Sequence, residues 1–298
     1  MTITIISAGI TVIEDNGRYE YTHLGVPVSG AFDRLSYALA CNLINEANAP
    51  VFEILRGPFQ LMTDAAILLS VVGDAQVSID GAVSSVNSVF VLESNKSLSV
   101  TPRIDAPVYL AIKGLLAPAV LGSTSHDTLS NLGPEPLKNG ESFETQELNR
   151  NDSAIGSFIA TLPKSLNTEL RYVTGPHSLD VAGGWKVESI ARSGVRLSSP
   201  ESLQNTASAL ASFPVMPGAI QVPPSGLPVI LGPDCGVTGG YPVAGVVIDA
   251  DLHKLARLAT GTSISLIPVT KEQAAQASSA LSKAISSAIT RPSDLGSW

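Results

Sequence analysis

The chain has 298 residues, with 26 acidic against 18 basic side chains and a formal net charge of −8. Hydrophobic residues make up 44% and charged ones 15%, enough for a large core, and the 25 Gly and 20 Pro follow no period, which excludes collagen-like and low-complexity chains. The acidic balance excludes wholesale binding of duplex nucleic acid, which needs clustered Lys and Arg.

Short Val- and Ile-rich runs at 3–6, 66–72, 77–79, 88–92, 98–100 and 108–112, separated by Gly, Asp, Asn or Pro, predict strands. Between the first two, Leu35, Leu39 and Leu43 predict a helix over 31–44, with Ser29 near its start as the cap. The polar stretch 139–152 has no periodicity and reads as an exposed loop. A second set of strands follows at 156–159, 170–173, 185–190, 229–231, 243–248 and 263–268. The spacing leaves no room for regular crossover helices, so the fold class is mostly β, built as barrels or sandwiches. Two more helices are predicted. One spans 250–259, with Leu252, Leu255 and Ala259 on one face, Asp249 and Asp251 at its start and Gly261 just past its end. The other spans 271–289 and opens on the capping-box pair Thr270 and Gln273. Its thin stripe of Ala274, Ala277, Leu281, Ala284, Ile285 and Ala288 suits a peripheral appendage. A boundary near 162–167 divides the chain into 1–162 and 163–298, with exchange of strands between the two allowed. The longest apolar stretches, 65–73 and 243–250, fall far short of the ~20 residues that cross a bilayer, and the N-terminus has no signal-peptide pattern, so a soluble, cytoplasmic protein is expected.

Few side chains form recognisable constellations. Cys41 and Cys235 make no disulfide framework or zinc site. Cys235 beside Asp234 has no cation to lower its pKa, which favours packing over a nucleophile. His23, His126, His177 and His253 are dispersed, and no metal pairing appears. His126 next to Asp127 reads either as an acid–base pair or as neighbours facing opposite ways, His177 as a ligand contact or a surface turn, and His253 as solvent-exposed. The turn GVPVSGAFD at 25–33 places Ser29 and Asp33 at a helix start, where free N–H groups receive an anion or are simply capped. Arg192 and Arg196 are spaced to share one face, where they either clamp a carboxylate or phosphate or form a surface pair. PGAIQVPPSG at 217–226 and DCGVTGGYP at 234–242 form a Pro-fixed path and a glycine-rich hairpin. There Gln221, Asp234, Thr238, Gly239, Gly240 and Tyr241 could face a ligand or merely shape a turn. No GxxxxGK[ST], GxGxxG or GxSxG motif is present.

Taken in order, GVPVSGAFD, Asn42, Glu53 with Gly57-Pro58, LGS at 121–123, GPH at 175–177, RSGVRL at 192–197, PGAIQVPPSG and TGGYP at 238–242 resemble one family. It is the biotin-dependent carboxyltransferase family related to allophanate hydrolase subunit 2, which includes KipA-like proteins and the C component of bacterial 5-oxoprolinase. The resemblance implies two cyclophilin-like β-barrel domains and a KipI-like (allophanate hydrolase subunit 1-like) partner sharing the working cleft. Its leading implication is a subunit of an ATP-dependent 5-oxoprolinase, acting with that partner and a LamB/YcsF-like subunit, with ATP held jointly. Ser29, Asp33, Arg192 or Arg196, Gln221, Asp234, Thr238, Gly239, Gly240 and Tyr241 would bind the substrate, and no nucleophile or general base is assigned. A second implication is the carboxyltransferase half of a urea-carboxylase-type enzyme. Biotin would then arrive on a separate carrier, because Met1, Met62 and Met216 have no following Lys. A third is a non-catalytic KipA-type regulator. It is motivated by Thr124 where the family usually has Arg and by the absence of a Gln before Thr238; Ile190-Ala191, where the family has Ser-Asp, is a further departure.

Overall fold

The computed structural model describes residues 1–159, 168–177, 179–199, 203 and 210–292. The predicted boundary at 162–167 lies outside the described residues. The chain is mostly β, and its architecture matches the expected class of two strand-built halves with a few helices.

The N-terminal half wraps its core with two sheets. Six strands run in the order Ser142–Glu144, Thr2–Ser7, Phe59–Thr63, Ser97–Pro102, Ala75–Ile79, Ala82–Ser84. Seven run in the order Ile10–Glu14, Val51–Arg56, Val108–Ile112, Ile67–Val72, Ser88–Leu92, Phe158–Ile159, Ile289–Thr290. In Thr2–Ser7, Ile3 and Ile5 point inward and Thr4 does not, the alternation expected of a strand with one wet face. Ile67–Val72 and Val108–Ile112 are buried along their whole length because both faces are covered. Ile67, Leu69, Val71, Leu110 and Ile112 enter the intersheet core. Leu68, Val72, Tyr109 and Ala111 pack beneath helix α1 (Arg34–Leu43), through its Leu35, Leu39 and Leu43.

The C-terminal half is a closed seven-stranded barrel: Glu169–Thr174, Val243–Val247, Ala219–Gln221, Val229–Leu231, Gly194–Ser198, Gly183–Ala191, Ser263–Pro268. The ring shuts by parallel pairing of Ser263–Pro268 with Glu169–Thr174. Leu170, Trp185, Val187, Leu197, Ile220 and Leu266 fill it. Helix α2 (Asp249–Leu255) follows the strand Val243–Val247, and α3 (Lys271–Ala288) opens with the predicted capping box of Thr270 and Gln273. Beyond α3, Ile289–Thr290 pairs with Phe158–Ile159, so the chain ends its barrel half by adding a strand to the other.

Two local expectations are corrected. The first helix starts at Arg34, and its cap is Asp33, whose carboxylate accepts from Ser36 N at 3.0 Å. Ser29 sits five residues before the helix with φ 56° and turns its hydroxyl to Asp127 Oδ2 at 2.9 Å. His253 is buried rather than solvent-exposed, because the polar side of α2 faces other parts of the fold. Asp33 has a second partner in Arg257 Nε at 2.5 Å, which ties the start of α1 to the segment after α2. Asp33→Ala therefore removes both a cap and the carboxylate facing a partly buried guanidinium. A loss of about 2–3 kcal/mol is expected by urea unfolding, with Asp33→Asn losing less because the amide oxygen still caps.

Candidate functional site

Where the halves meet, a groove of about 1040 Å³ opens between the 19–28 arm, the barrel and α3. Its floor is apolar, with Val28, Val215, Val246, Ile248 and Leu252, and its rim is mostly polar, with Thr22, His23, Arg34, Thr238, Asp249 and Ser278 beside the exposed Met216. Arg34 stands 3.8 Å from Asp249 and lies over the Tyr19 ring at 5.7 Å. These weak restraints leave the guanidinium available to an anion.

Beneath the groove lies a buried polar network centred on Arg192. Its Nε and Nη2 donate to the two oxygens of Asp234 at 2.8 and 2.9 Å, a bidentate pair. Nη1 donates to Glu53 Oε1 at 2.6 Å, and Nη2 also to the Gly30 carbonyl at 2.8 Å. Glu14 Oε1 lies 3.1 Å from Nη2. Burial opposes the charge on Arg192, but the carboxylates of Glu14, Glu53 and Asp234 outweigh it and hold its pKa well above the ordinary guanidinium value. The outer oxygen of Glu53 accepts from Phe32 N at 2.9 Å and from the Tyr109 hydroxyl at 2.7 Å, and that hydroxyl in turn accepts from Asp33 N at 2.7 Å. Thr128 donates to Asp234 through both its N–H and its hydroxyl, at 3.1 and 2.7 Å. Ser29 N donates to the Pro233 carbonyl at 3.1 Å. The N–H groups of Phe32, Asp33 and Ser36 around the helix start, where an anion is one alternative, are thus already engaged.

The other candidates separate into three places. Thr238 is exposed on the groove rim. Gly239 pairs with Phe213 and backs directly on the buried Gln221 amide, where a Cβ would stand 2.3 Å from Nε2. Gly240 is half-buried beside it, and the Tyr241 ring, 45% exposed, lies outside the groove lining. Arg196 is exposed on the barrel wall, in register with Ser189 and Val229, and does not join Arg192. The two arginines do not share a face, because Arg192 sits in the turn between two strands and Arg196 within the second.

Several neighbouring groups resolve the alternatives left by their spacing. His126 and Asp127 turn away from each other: His126 Nδ1 meets the Pro134 carbonyl at 2.8 Å, and Asp127 accepts from Ser29 and Ser130. His177 Nδ1 accepts from Val243 N at 3.0 Å, and its ring rests against Phe213. The segment 123–125, where the family usually carries an arginine, wraps Asp15. Ser123 Oγ, Thr124 N and Ser125 Oγ donate at 2.7, 2.8 and 2.6 Å. Burial pushes the Asp15 carboxyl up, but these bonds and Gly17 N outweigh it and lower its pKa. Among the described residues, no cluster of His, Cys, Asp or Glu is arranged to hold a metal ion, and no helix is long and apolar enough to cross a membrane.

Most of the chain that carries this groove and network is matched by a protein-family model. The model for the carboxyltransferase domain, subdomain A and B, covers residues 24–268. The chain belongs to this family. Carboxyltransferase-domain relatives include the C component of the 5-oxoprolinase of Escherichia coli (strain K12), 30% identical over 293 residues that cover 92% of this chain and 94% of that protein. Urea amidolyase of Saccharomyces cerevisiae is 26% identical over 310 residues, 91% of this chain but 17% of its own length. Among solved structures, TTHA0988 superimposes with a TM-score of 0.80 at 28% identity, covering 90% of this chain and 56% of that one. The Kluyveromyces lactis urea amidolyase gives 0.81 at 26%, covering 95% and 20%. The chain thus spans about half of one solved relative and a fifth of the other.

Sequence patterning missed Glu14 as a functional-network residue, and Arg34 and Thr128 with it. An acidic residue at the inward end of a mostly apolar strand is the signal that marks Glu14. Two measurements test this arrangement of the carboxyltransferase-domain site. Arg192→Met leaves buried carboxylates without their cation and is expected to cost about 3–5 kcal/mol in urea unfolding, whereas Arg196→Ala stays within about 0.5 kcal/mol. Burial, reinforced by Asp234 and Asp127, pushes the Cys235 thiol up to about 12, and burial pushes Cys41 to about 11. Both thiols should therefore resist alkylation at pH 8 in the folded protein and react once urea unfolds it.

Proposed function

We propose that this chain is the C component of an ATP-dependent 5-oxoprolinase assembly, which opens the lactam of 5-oxoproline to glutamate. The observation that carries the reading is the near end-to-end match to the E. coli 5-oxoprolinase component, 94% of that protein against 17% of the yeast urea amidolyase. The first match is also the more similar, 30% against 26% identical.

In this reading the groove is the part of the substrate cleft that the chain contributes. Ring opening adds water across the lactam C–N bond, and negative charge develops on the carbonyl oxygen. Polar donors fixed beside an apolar surface are suited to stabilising such charge. Thr238 stands on the groove rim, and Arg34, also on the rim, holds the substrate carboxylate. Arg192, whose donors are committed to Asp234, Glu53 and Gly30, acts as a positioning residue together with Ser29, Asp33 and Gln221. Both thiols are buried with raised pKa values, so the reacting groups come from a KipI-like partner and a LamB/YcsF-like subunit. The partners also hold the ATP phosphates, for which this sequence has no glycine-rich motif.

One observation favours a second reading. The likeness to K. lactis urea amidolyase extends over 95% of this chain, and the apolar floor would suit a biotinyl arm brought by another protein for carboxyl transfer to a small amide. Reconstitution with the partner subunits separates the readings. ATP-dependent glutamate formation from 5-oxoproline is expected, and Arg34→Gln should raise KM by about 10- to 100-fold, the worth of one charge-assisted hydrogen bond. Carboxyl transfer to urea without glutamate formation would replace the first reading by the second. Tight partner binding with neither activity would leave a KipA-type regulator.

A further inference from the structure

Glu14 ends the strand Ile10–Glu14 with its side chain fully buried, and neither of its carboxyl oxygens accepts a hydrogen bond. The closest cationic atom, Arg192 Nη2 at 3.1 Å, carries two hydrogens, and both are already given away, one to the Gly30 carbonyl and one to Asp234 Oδ1. The other carboxylates around the guanidinium are better served. Asp234 receives four hydrogen bonds, from Arg192 Nε and Nη2 and from Thr128 N and Oγ1. Glu53 receives three, from Arg192, Phe32 and Tyr109. Three ionised carboxylates around one cation, one of them with no donor, is an arrangement that a dry interior does not support. A shared site of this kind keeps a proton on the worst-solvated member.

We propose that Glu14 is a neutral carboxylic acid in the folded protein, and that its proton makes the cohesion of the two halves pH-dependent. The proton has a place to go. Ser125 Oγ, the neighbouring hydroxyl, gives its own hydrogen to Asp15 Oδ1 at 2.6 Å and accepts from Asp15 N at 3.0 Å, which leaves one lone pair for a Glu14 O–H. The charged and titratable groups facing Glu14 are Arg192, Glu53 and Asp234, with Arg18 and Tyr37 further out. Burial foremost pushes the Glu14 carboxyl up; Arg192 pulls it down, Glu53 and Asp234 push it up again, and the Ser125 hydroxyl lowers it least, for a net value well above the ordinary one.

A carboxyl whose pKa is higher folded than unfolded binds its proton more tightly in the native state. Its contribution is complete below the unfolded value and is lost as pH rises toward the folded value. The lock that holds Gly30 and Asp234 together therefore weakens on the alkaline side, where a third negative charge appears at its centre.

The experiment follows thermal unfolding of the full chain from pH 5 to pH 9, with infrared spectra of the folded protein at neutral pH. Wild type is expected to lose stability toward alkaline pH and to show a carboxylic-acid carbonyl band. Glu14→Gln, which mimics the neutral acid, should remove that band and most of the alkaline fall, with a Tm at pH 9 at or above that of wild type. Glu14→Met, with neither charge nor hydrogen bonding, is the second variant and should share the flattened profile. A uniform drop in Tm at every pH for both variants, or a wild-type spectrum without the carboxylic band, would overturn the proposal, because either means an ionised Glu14 paired with Arg192.

Discussion

Arg192 is the point on which the two halves agree. In a chain with only 15% charged residues, one guanidinium is buried among three carboxyl groups that come from three places in the sequence. Such a cluster adds little adhesion over an apolar contact of equal volume, because taking the charges out of water cancels much of their attraction. What it adds is direction. A planar fork of N–H groups accepts its partners only at fixed angles, whereas Val against Leu slides at small cost.

That direction passes straight to the groove. Gly30, whose carbonyl meets Arg192, lies two residues beyond Val28, which lines the floor, and Ser29 N ties the same segment to Pro233. Asp234, held bidentately, immediately precedes the lining stretch Cys235, Gly236, Val237 and Thr238. Opposite walls of the groove therefore hang from one guanidinium. Gly232 enforces the same closeness, because a Cβ there would stand 2.1 Å from the Arg192 carbonyl. The backbone approach and the polar lock are two aspects of a single constraint.

Many strands are legible in the sequence as Val- and Ile-rich runs, and 88–92, 108–112, 229–231 and 263–268 coincide with their structural counterparts. Ile10–Glu14 and Val51–Arg56 are hidden, and the reason is physical. Each places a glutamate, Glu14 or Glu53, at an inward position, which breaks the pattern that identifies a strand. The residues that build the lock are thus the ones that erase its signal. Arg192 is legible as an important arginine through the RSGVRL motif, but its spacing to Arg196 suggests a shared clamp. Arg192 sits instead in the two-residue turn between antiparallel strands, and Arg196 within the second of them. His253 escapes sequence reading for a related reason. Polar periodicity on a short helix signals solvent only when nothing packs on that side, and α2 contacts both α1 and α3.

The far end of the seam is built by the opposite logic. The small side chains of α3 look too thin to dock, yet Leu281 and Ile285 join the apolar cluster beneath α1, and Ala274, Ala275 and Ser278 line the groove. Small residues suit a helix that must lie close to two bodies at once, because they let backbones approach without large side chains to accommodate. Past α3, Ile289–Thr290 takes its place at the edge of the N-terminal half's sheet, so the helix is tethered at both ends. Apolar contact holds the halves together there, where a slight shift has no chemical consequence. Directed charge is kept for the part of the seam where the separation between Val28 and Thr238 sets the shape that a ligand meets.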